Sequence, residues 1–213
     1  MNMARQARAS PRRARSPSDD RRARAAERTR QDILAAAARV FASRGYHAAT
    51  MQLIAREAGF TAASLYTYFP SKESMYAGLV EAFGARVMAV FDQPAPGGLT
   101  FAQRLELLLQ RQLQLVLAEA SALRLLFDIG PPQGKASSAE PKHYLGRLRR
   151  FLVEAGGDLA LRVPPGEAAL LLHGIGQAVV LGWLLDGTPI DPVRSATRIA
   201  DLFLRGAGAP APR

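Results

Sequence analysis

Apolar residues recur along this chain at three- and four-residue spacing, and nowhere do they alternate as in a half-buried strand. From Arg28 to Arg44, residues Ile33, Ala37, Val40 and Phe41 share one face, and Gly45 ends the run. In the next run, Leu53, Ile54 and Ala58 form one apolar side, with Thr50 placed as its cap and Gly59 at its end. Thr61 can cap a shorter run, in which Leu65 and Phe69 lie four apart on one face. Pro70 stops it, and Ser71 can cap the next helix. Lys72 to Phe91 carries a stripe of Met75, Leu79, Phe83, Val87 and Val90, and QPAPGGL from Gln93 to Leu99 breaks it. Thr100 opens a run with a capping box to Gln103, and its face is Phe101, Leu105, Leu108, Gln112 and Leu115.

The C-terminal half continues the pattern. Ala122 to Ile129 is a short helix, GPPQGKASSAE from Gly130 to Glu140 a loop, and Pro141 suits the first position of another helix. That helix has an apolar face of Tyr144, Leu145, Leu148, Phe151 and Leu152 opposite a basic one of Arg147, Arg149 and Arg150. The segment from VPPGE to Asp186 is apolar on nearly every side. The last helix, capped by Asp191, carries Val193, Ala196, Ile199, Ala200 and Phe203, and Gly206 stands as its C-terminal cap. The pattern predicts an all-α fold of about nine helices, with three in an N-terminal head and six in a larger body.

Thr50 to Lys72 is the informative stretch. Two short helices meet at a glycine turn, and the second is held by only two large apolar residues, so most of its surface stays free. That is the arrangement of a helix-turn-helix, whose second helix enters the DNA major groove. The sequence AREAGFTAASLYTYFPSKESM resembles the DNA-binding signature of the TetR (tetracycline-repressor) family of transcriptional regulators. The resemblance runs over about residues 29 to 80. One departure is Ala63, which stands before Ser64 where the family usually has Gly or Pro.

The resemblance implies four regions: a disordered Arg-rich tail (1–26), a helix-turn-helix DNA-binding domain (27–74), a ligand-binding and dimerisation body (75–206) and a flexible C-terminus (207–213). It also implies a cytoplasmic, ligand-released repressor that acts as a homodimer on double-stranded DNA carrying a palindromic operator.

Helical geometry turns Ala63 and Thr67 directly away from Leu65 and Phe69, with Ser64 and Tyr66 on the flanks. Thr61 and Ala62, at the start of the same helix, complete its DNA-facing set. Gln52 is an amide able to read adenine through two bonds. By resemblance, Thr50, Tyr66, Tyr68 and Lys72 would contact phosphates, with packing of the head as the alternative for Tyr66 and, more evenly balanced, for Tyr68.

Charge sharpens this picture. Residues 1–30 hold ten arginines against Asp19, Asp20 and Glu27, a net +7 of the chain's +10. An excess beside the helix-turn-helix suits a phosphate-binding arm, with a solvated tail of no role as the even alternative. It also admits an alternative, a nonspecific architectural DNA-binding protein driven by the basic tail. A member of the fold that has lost DNA binding is a further alternative, opposed by Tyr66 and Lys72.

The chain has no cysteine, which excludes disulfides and thiolate chemistry. No phosphate loop, nucleophile elbow or carboxylate pair argues for catalysis, and no cofactor is expected. His143 and His173 lack metal-ligand spacing. No apolar core follows the N-terminal arginines, so no secretory signal is read. The Arg- and Ser-rich residues 1–18 only weakly resemble a transit peptide. Ala168 to Leu185 approaches a membrane span, but His173, Gln177 and its glycines favour a buried helix, and no membrane partner is expected.

A helix that is apolar all round must be covered all round. Gly174, Ala178 and Gly182 form a small-residue stripe on it, and together with Ile199 and Phe203 they are the expected dimer interface, with close packing inside one subunit as the alternative. The expected effector pocket is lined by Phe101, Leu105, Leu108, Phe127, Tyr144, Phe151, His173, Gln177 and Trp183, with plain core packing as the alternative. So apolar a lining suits a hydrophobic or flat aromatic molecule.

Overall fold

A computed structural model describes residues 16–129, 139–155 and 160–209. Among these residues the chain forms nine α-helices and one pair of two-residue strands. The helices are α1 (Pro17–Arg44), α2 (Met51–Ala58), α3 (Ala62–Tyr68), α4 (Lys72–Val90), α5 (Phe101–Ala118), α6 (Ala120–Ile129), α7 (Ala139–Ala155), α8 (Pro165–Asp186) and α9 (Pro192–Ala207). The strands are β1 (Ala160–Leu161) and β2 (Gly208–Ala209), paired antiparallel, a contact that the hydrophobic pattern did not predict.

Local chemistry accounts for the helix ends. Thr50, Thr61 and Thr100 accept hydrogen bonds from Leu53, Ser64 and Gln103 backbone N–H groups. Gly59 adopts φ 74° and ψ 26°, the left-handed turn that lets α2 stop and α3 start at a new angle. The Asp191 carboxylate accepts from the N–H groups of Val193 and Arg194 and so caps α9. Gly206 lies inside the last turn of α9 and does not end it.

Two ends differ from expectation. Helix α1 begins at Pro17, well inside the stretch read as a disordered tail. Ser16 and Asp19 form a capping box, Pro17 occupies the first turn, and Asp19 and Asp20 sit at the positive end of the dipole. The Ala and Arg residues that follow are strong helix formers, so the segment needs no core to be helical. Residues 1–15 lie outside the described residues, as do 130–138 of the expected loop; Ala139 and Glu140 already belong to α7. At the other end, Gly208 and Ala209 are tied into β2 rather than trailing free.

There are two hydrophobic cores. The body core joins Leu105 and Leu109 of α5, Leu148 and Leu152 of α7, Leu172 of α8, Ile199 and Phe203 of α9, and Val90 of α4. The head core joins Ile33 and Phe41 of α1, Ile54 of α2, and Leu65 and Phe69 around α3. It also takes Met75, Tyr76 and Leu79 from α4 and Leu125 from α6. The head therefore extends past the boundary expected at residue 74, because two short helices and α1 leave apolar surface that only α4 and α6 can cover.

The crossing of α1, α4 and the end of α3 is the tightest joint. A Cβ at Gly78 would lie 3.2 Å from Leu34 Cδ2 and 3.4 Å from both Phe69 Cε1 and an Arg30 guanidinium nitrogen. The Arg30 guanidinium stacks 4.3 Å over the Phe69 ring and donates at 3.5 Å to the Tyr68 carbonyl. Replacing Gly78 with Val should therefore push α4 from α1 and cost about 1–3 kcal/mol by overpacking. Chemical denaturation checks this, and an unchanged midpoint would mean that the joint has slack.

Candidate nucleic-acid interface

The head presents α3 as a short helix anchored on one side only. Leu65 and Phe69 are buried to within 1% of full enclosure, while Ala63, Ser64, Tyr66 and Thr67 are exposed. Thr61 is also exposed, Ala62 and Tyr68 are half-buried, and Gln52 stands exposed on α2 beside the exposed cap Thr50. The structure thus brings the expected groove-facing residues to one surface. Tyr66 is 49% exposed. Tyr68 turns inward, its ring edge-on to Phe60 at 6.3 Å.

Hydroxyls on this surface already have partners, and this changes what they can offer. Thr61 and Ser64 hydroxyls lie 2.9 Å apart, and Thr61 also accepts from the Ser64 N–H at 3.1 Å. Thr67 donates its hydroxyl proton to the Ser64 carbonyl at 2.6 Å. Toward DNA, Thr67 then offers acceptor lone pairs and a methyl group, matching an exocyclic amine or a thymine methyl.

The role expected of Lys72 as a phosphate contact is not what its side chain does here. Its ammonium donates to the carbonyls of Tyr46, His47 and Ala49 at 2.9, 3.3 and 3.4 Å. It also sits 4.5 Å over the Tyr46 ring. These carbonyls close the turn between α1 and α2, and they satisfy the three ammonium donors. In the first turn of α4 the Ser71 hydroxyl already accepts from the Ser74 N–H at 3.2 Å, and the Glu73 carboxylate adds a negative charge beside it.

Tyr46, which the hydrophobic pattern marks only as a residue after a glycine, is the hub of this turn. Its ring contacts Phe41 at 5.3 Å, Tyr76 at 5.6 Å and His47 at 5.7 Å. Its hydroxyl donates to Glu73 at 3.2 Å. Burial, aided by the Glu73 carboxylate, pushes the Tyr46 hydroxyl up to about 12. Hydrogen bonds from the Glu73 backbone and the Ser71 hydroxyl hold the Glu73 carboxyl below its ordinary range. An aromatic between a helix-ending glycine and a capping threonine is the signal that would have found Tyr46.

In the body the expected effector pocket divides. Phe101, Leu105, Leu108 and Trp183 are buried core, with Phe101 packed on Phe151 at 6.2 Å. Phe127 is 44% exposed on α6, and Gln177 is exposed on α8, so neither lines an interior. Two surface grooves stand out among the described residues, and neither is lined by any of the nine expected pocket residues. One, of 770 Å³, runs beside Met88, His143, Arg147, Arg150, Val153 and Pro165. The other, of 510 Å³, lies between the end of α1 and α6, beside Phe41, Tyr46, His47, Ser121, Arg124 and Leu125.

What remains of the pocket is a polar cluster around Tyr144 and His173. Sequence reasoning missed its centre, Gln112, which interrupts an otherwise apolar stripe on α5.

The expected dimer residues divide too. Gly174, Ala178 and Gly182 lie on the open side of α8, and a Cβ at either glycine would meet nothing within 4 Å. Ile199 and Phe203 instead belong to the protomer's own core, at 1% exposure each, because the small side chains of α8 and the leucines of α5 leave room for them. The large apolar side chains that α9 leaves exposed are Val193 and Leu202. Helix α8 is the one described helix long and apolar enough to cross a membrane, yet only 22% of its apolar window is buried within the protomer.

Residues 33–79 match the family model for bacterial regulatory proteins of the tetR family. The chain is 46% identical over 59 residues to the HTH-type transcriptional regulator YdgC of Bacillus subtilis. It is 33% identical over 112 residues to the HTH-type transcriptional repressor KstR2 of Rhodococcus jostii. These matches cover 28% and 53% of the chain and span 30% and 54% of the relatives' lengths. The whole fold is similar to that of the regulator FadR from Bacillus subtilis, solved with stearoyl-CoA, at a TM-score of 0.68 and 22% identity over 83% of this chain and 98% of that one. It is similar to SmeT, the repressor of a Stenotrophomonas maltophilia multidrug efflux pump, with a TM-score of 0.68 and 24% identity over 84% and 90% of the two chains.

The carbonyl cradle gives a test. Lys72→Met should destabilise the DNA-free protein by about 1–3 kcal/mol, since the part-buried carbonyls of Tyr46 and Ala49 lose a charged donor. Denaturant titration without DNA measures it. Full stability with weakened DNA binding would return the ammonium to a phosphate role.

Proposed function

We propose that this chain, which belongs through its head to the TetR family of bacterial regulatory proteins, is a sequence-specific DNA-binding repressor released by a small apolar effector. The observation that carries the reading is α3. It is capped by Thr61, clamped by Leu65 and Phe69, and presents Ala63, Ser64, Tyr66 and Thr67 to the outside. A helix held rigidly by one face and free on the other suits insertion into a major groove. Tyr66 and the N-terminal turn of α2 would meet phosphates, and Gln52 would read one base pair. The reading puts the protein in the cytoplasm with its operator.

A dimer is the consequence of α8. Leu170, Leu171, Leu181 and Leu185 are each more than two-fifths exposed and surround the small stripe of Gly174, Ala178 and Gly182. So large an apolar face on a helix calls for a partner of the same kind. A second copy packed on α8, with Leu202 of α9 at the margin, would carry a second α3. The operator would then be palindromic, with half-sites about 34–36 Å apart. The effector would bind in the body and shift α4, which reaches from the body core to the head core.

Titrating the protein with the duplex upstream of its own gene tests the function, with a scrambled duplex as control at two salt concentrations. Preference for the native duplex should survive the higher salt, and Gln52→Ala should relax that preference at one position. Equal binding to both duplexes, vanishing together, and abolished by removing residues 1–15, would favour the architectural alternative. Leu181→Arg should give a monomer by sedimentation velocity with the fold intact by circular dichroism. A dimer that persists would move the interface away from α8.

A further inference from the structure

Helices α4, α5, α7 and α8 meet at a small polar cluster that is half-buried at Gln112, Tyr144 and His173 and reaches the surface at Gln177. The Tyr144 hydroxyl of α7 donates to Gln112 Oε1 of α5 at 3.1 Å. The Tyr144 ring packs on Phe91 at the end of α4 at 5.7 Å and on the His173 ring of α8 at 5.1 Å. His173 in turn lies 3.5 Å from the Gln177 amide nitrogen. The other half of the Gln112 amide is the anomaly: its Nε2 is buried and has no hydrogen-bond partner. A buried N–H group left unpaired is costly, and native proteins keep few of them. With the Tyr144 hydroxyl donating to Oε1, the amide nitrogen is the half left to offer.

The surroundings say what can accept it. Burial pushes the Tyr144 hydroxyl up to about 12 and pushes the His173 imidazole down. Both shifts favour the uncharged form, so the spot disfavours charge on a ligand as well. A carboxylate or phosphate would lose its hydration there, and the guanidinium over the Phe91 ring, that of Arg147, is already paired with Asp92. A carbonyl oxygen accepts one or two N–H bonds and asks for no donor in return.

We propose that Gln112, oriented by Tyr144, is the polar anchor of the effector site, and that the effector is an apolar molecule whose uncharged carbonyl (ketone, ester, lactone or amide) accepts from Gln112 Nε2. The assignment deepens the effector-binding reading and rests on it. It also gives the signal a route, since the Tyr144 ring that orients Gln112 is the one that touches Phe91, the residue after the last turn of α4.

The test uses the full chain and three probes of one shape: hexanophenone with a neutral carbonyl, hexylbenzene with none, and 4-pentylbenzoate with a carboxylate. Binding is read from the fluorescence of Trp183, the chain's one tryptophan. Hexanophenone should bind tightest, by about 3–10-fold over hexylbenzene, the net value of one hydrogen bond. Gln112→Met should erase that preference while leaving hexylbenzene unchanged. Binding of the ketone and the hydrocarbon with equal affinity, or a preference that survives Gln112→Met, overturns the anchor. If none of the three binds, the apolar effector reading fails and the anchor falls with it.

A ligand-free measurement stands beside this one. The double variant Gln112→Met/Tyr144→Phe removes the unpaired donor and its orienting hydroxyl while keeping the rings in place. Its Tm should rise by about 2–4 °C, as expected where a polar group is kept for binding at the expense of stability. A fall in Tm would make the pair structural and overturn the proposal.

Discussion

Helix α4 is a member of two hydrophobic cores, and the rest of the molecule is arranged around that constraint. Its first turns place Met75, Tyr76 and Leu79 among the residues that hold α2 and α3, and its last turn places Val90 among those of α5, α7 and α9. A close-packed core transmits displacement because it has little free volume to absorb it. Movement at either end of a stiff nineteen-residue helix must therefore be answered at the other. Gly78 sharpens the coupling, since it lets α4 approach α1 and the Phe69 ring without a Cβ between them.

A second tie reinforces the first. Helix α6 seats Leu125 in the head core and holds the Arg124 guanidinium 5.1 Å over Trp183 of α8. Head and body are thus joined by two elements, one along α4 and one across α6. The head gains core volume that α1 and the two short helices cannot supply. The body gains a surface through which its own packing bears on the turn at Tyr46.

The recognition surface is poor in free side-chain donors and rich in backbone order. Its hydroxyls cap, bridge and back-bond, so they stiffen α3 more than they add free donors. Lys72 and Arg30 do the same with charge, committing it to carbonyls and ring faces within the head. A head built this way relies on shape and phosphate placement, with sequence readout left to few groups.

Much of this was legible in the chain. The three-and-four periodicity, the capping residues and Gly59 determine the helices and the helix-turn-helix, because each depends on chemistry within one or two turns. The free surface of α3 was legible for the same reason: Leu65 and Phe69 leave only one way for a seven-residue helix to face. Other features were decided by tertiary structure. Whether Ile199 and Phe203 face a second copy or their own core depends on what α5 and α8 leave unfilled. Whether Lys72 meets a phosphate or three carbonyls depends on where a turn more than twenty residues earlier comes to rest. Gln112 is one polar residue on an apolar stripe until Tyr144, thirty-two residues on, takes one end of its amide and leaves the other. Periodicity reports the face a residue occupies; the partner it meets there is set by contacts between segments distant in sequence, which no local pattern encodes.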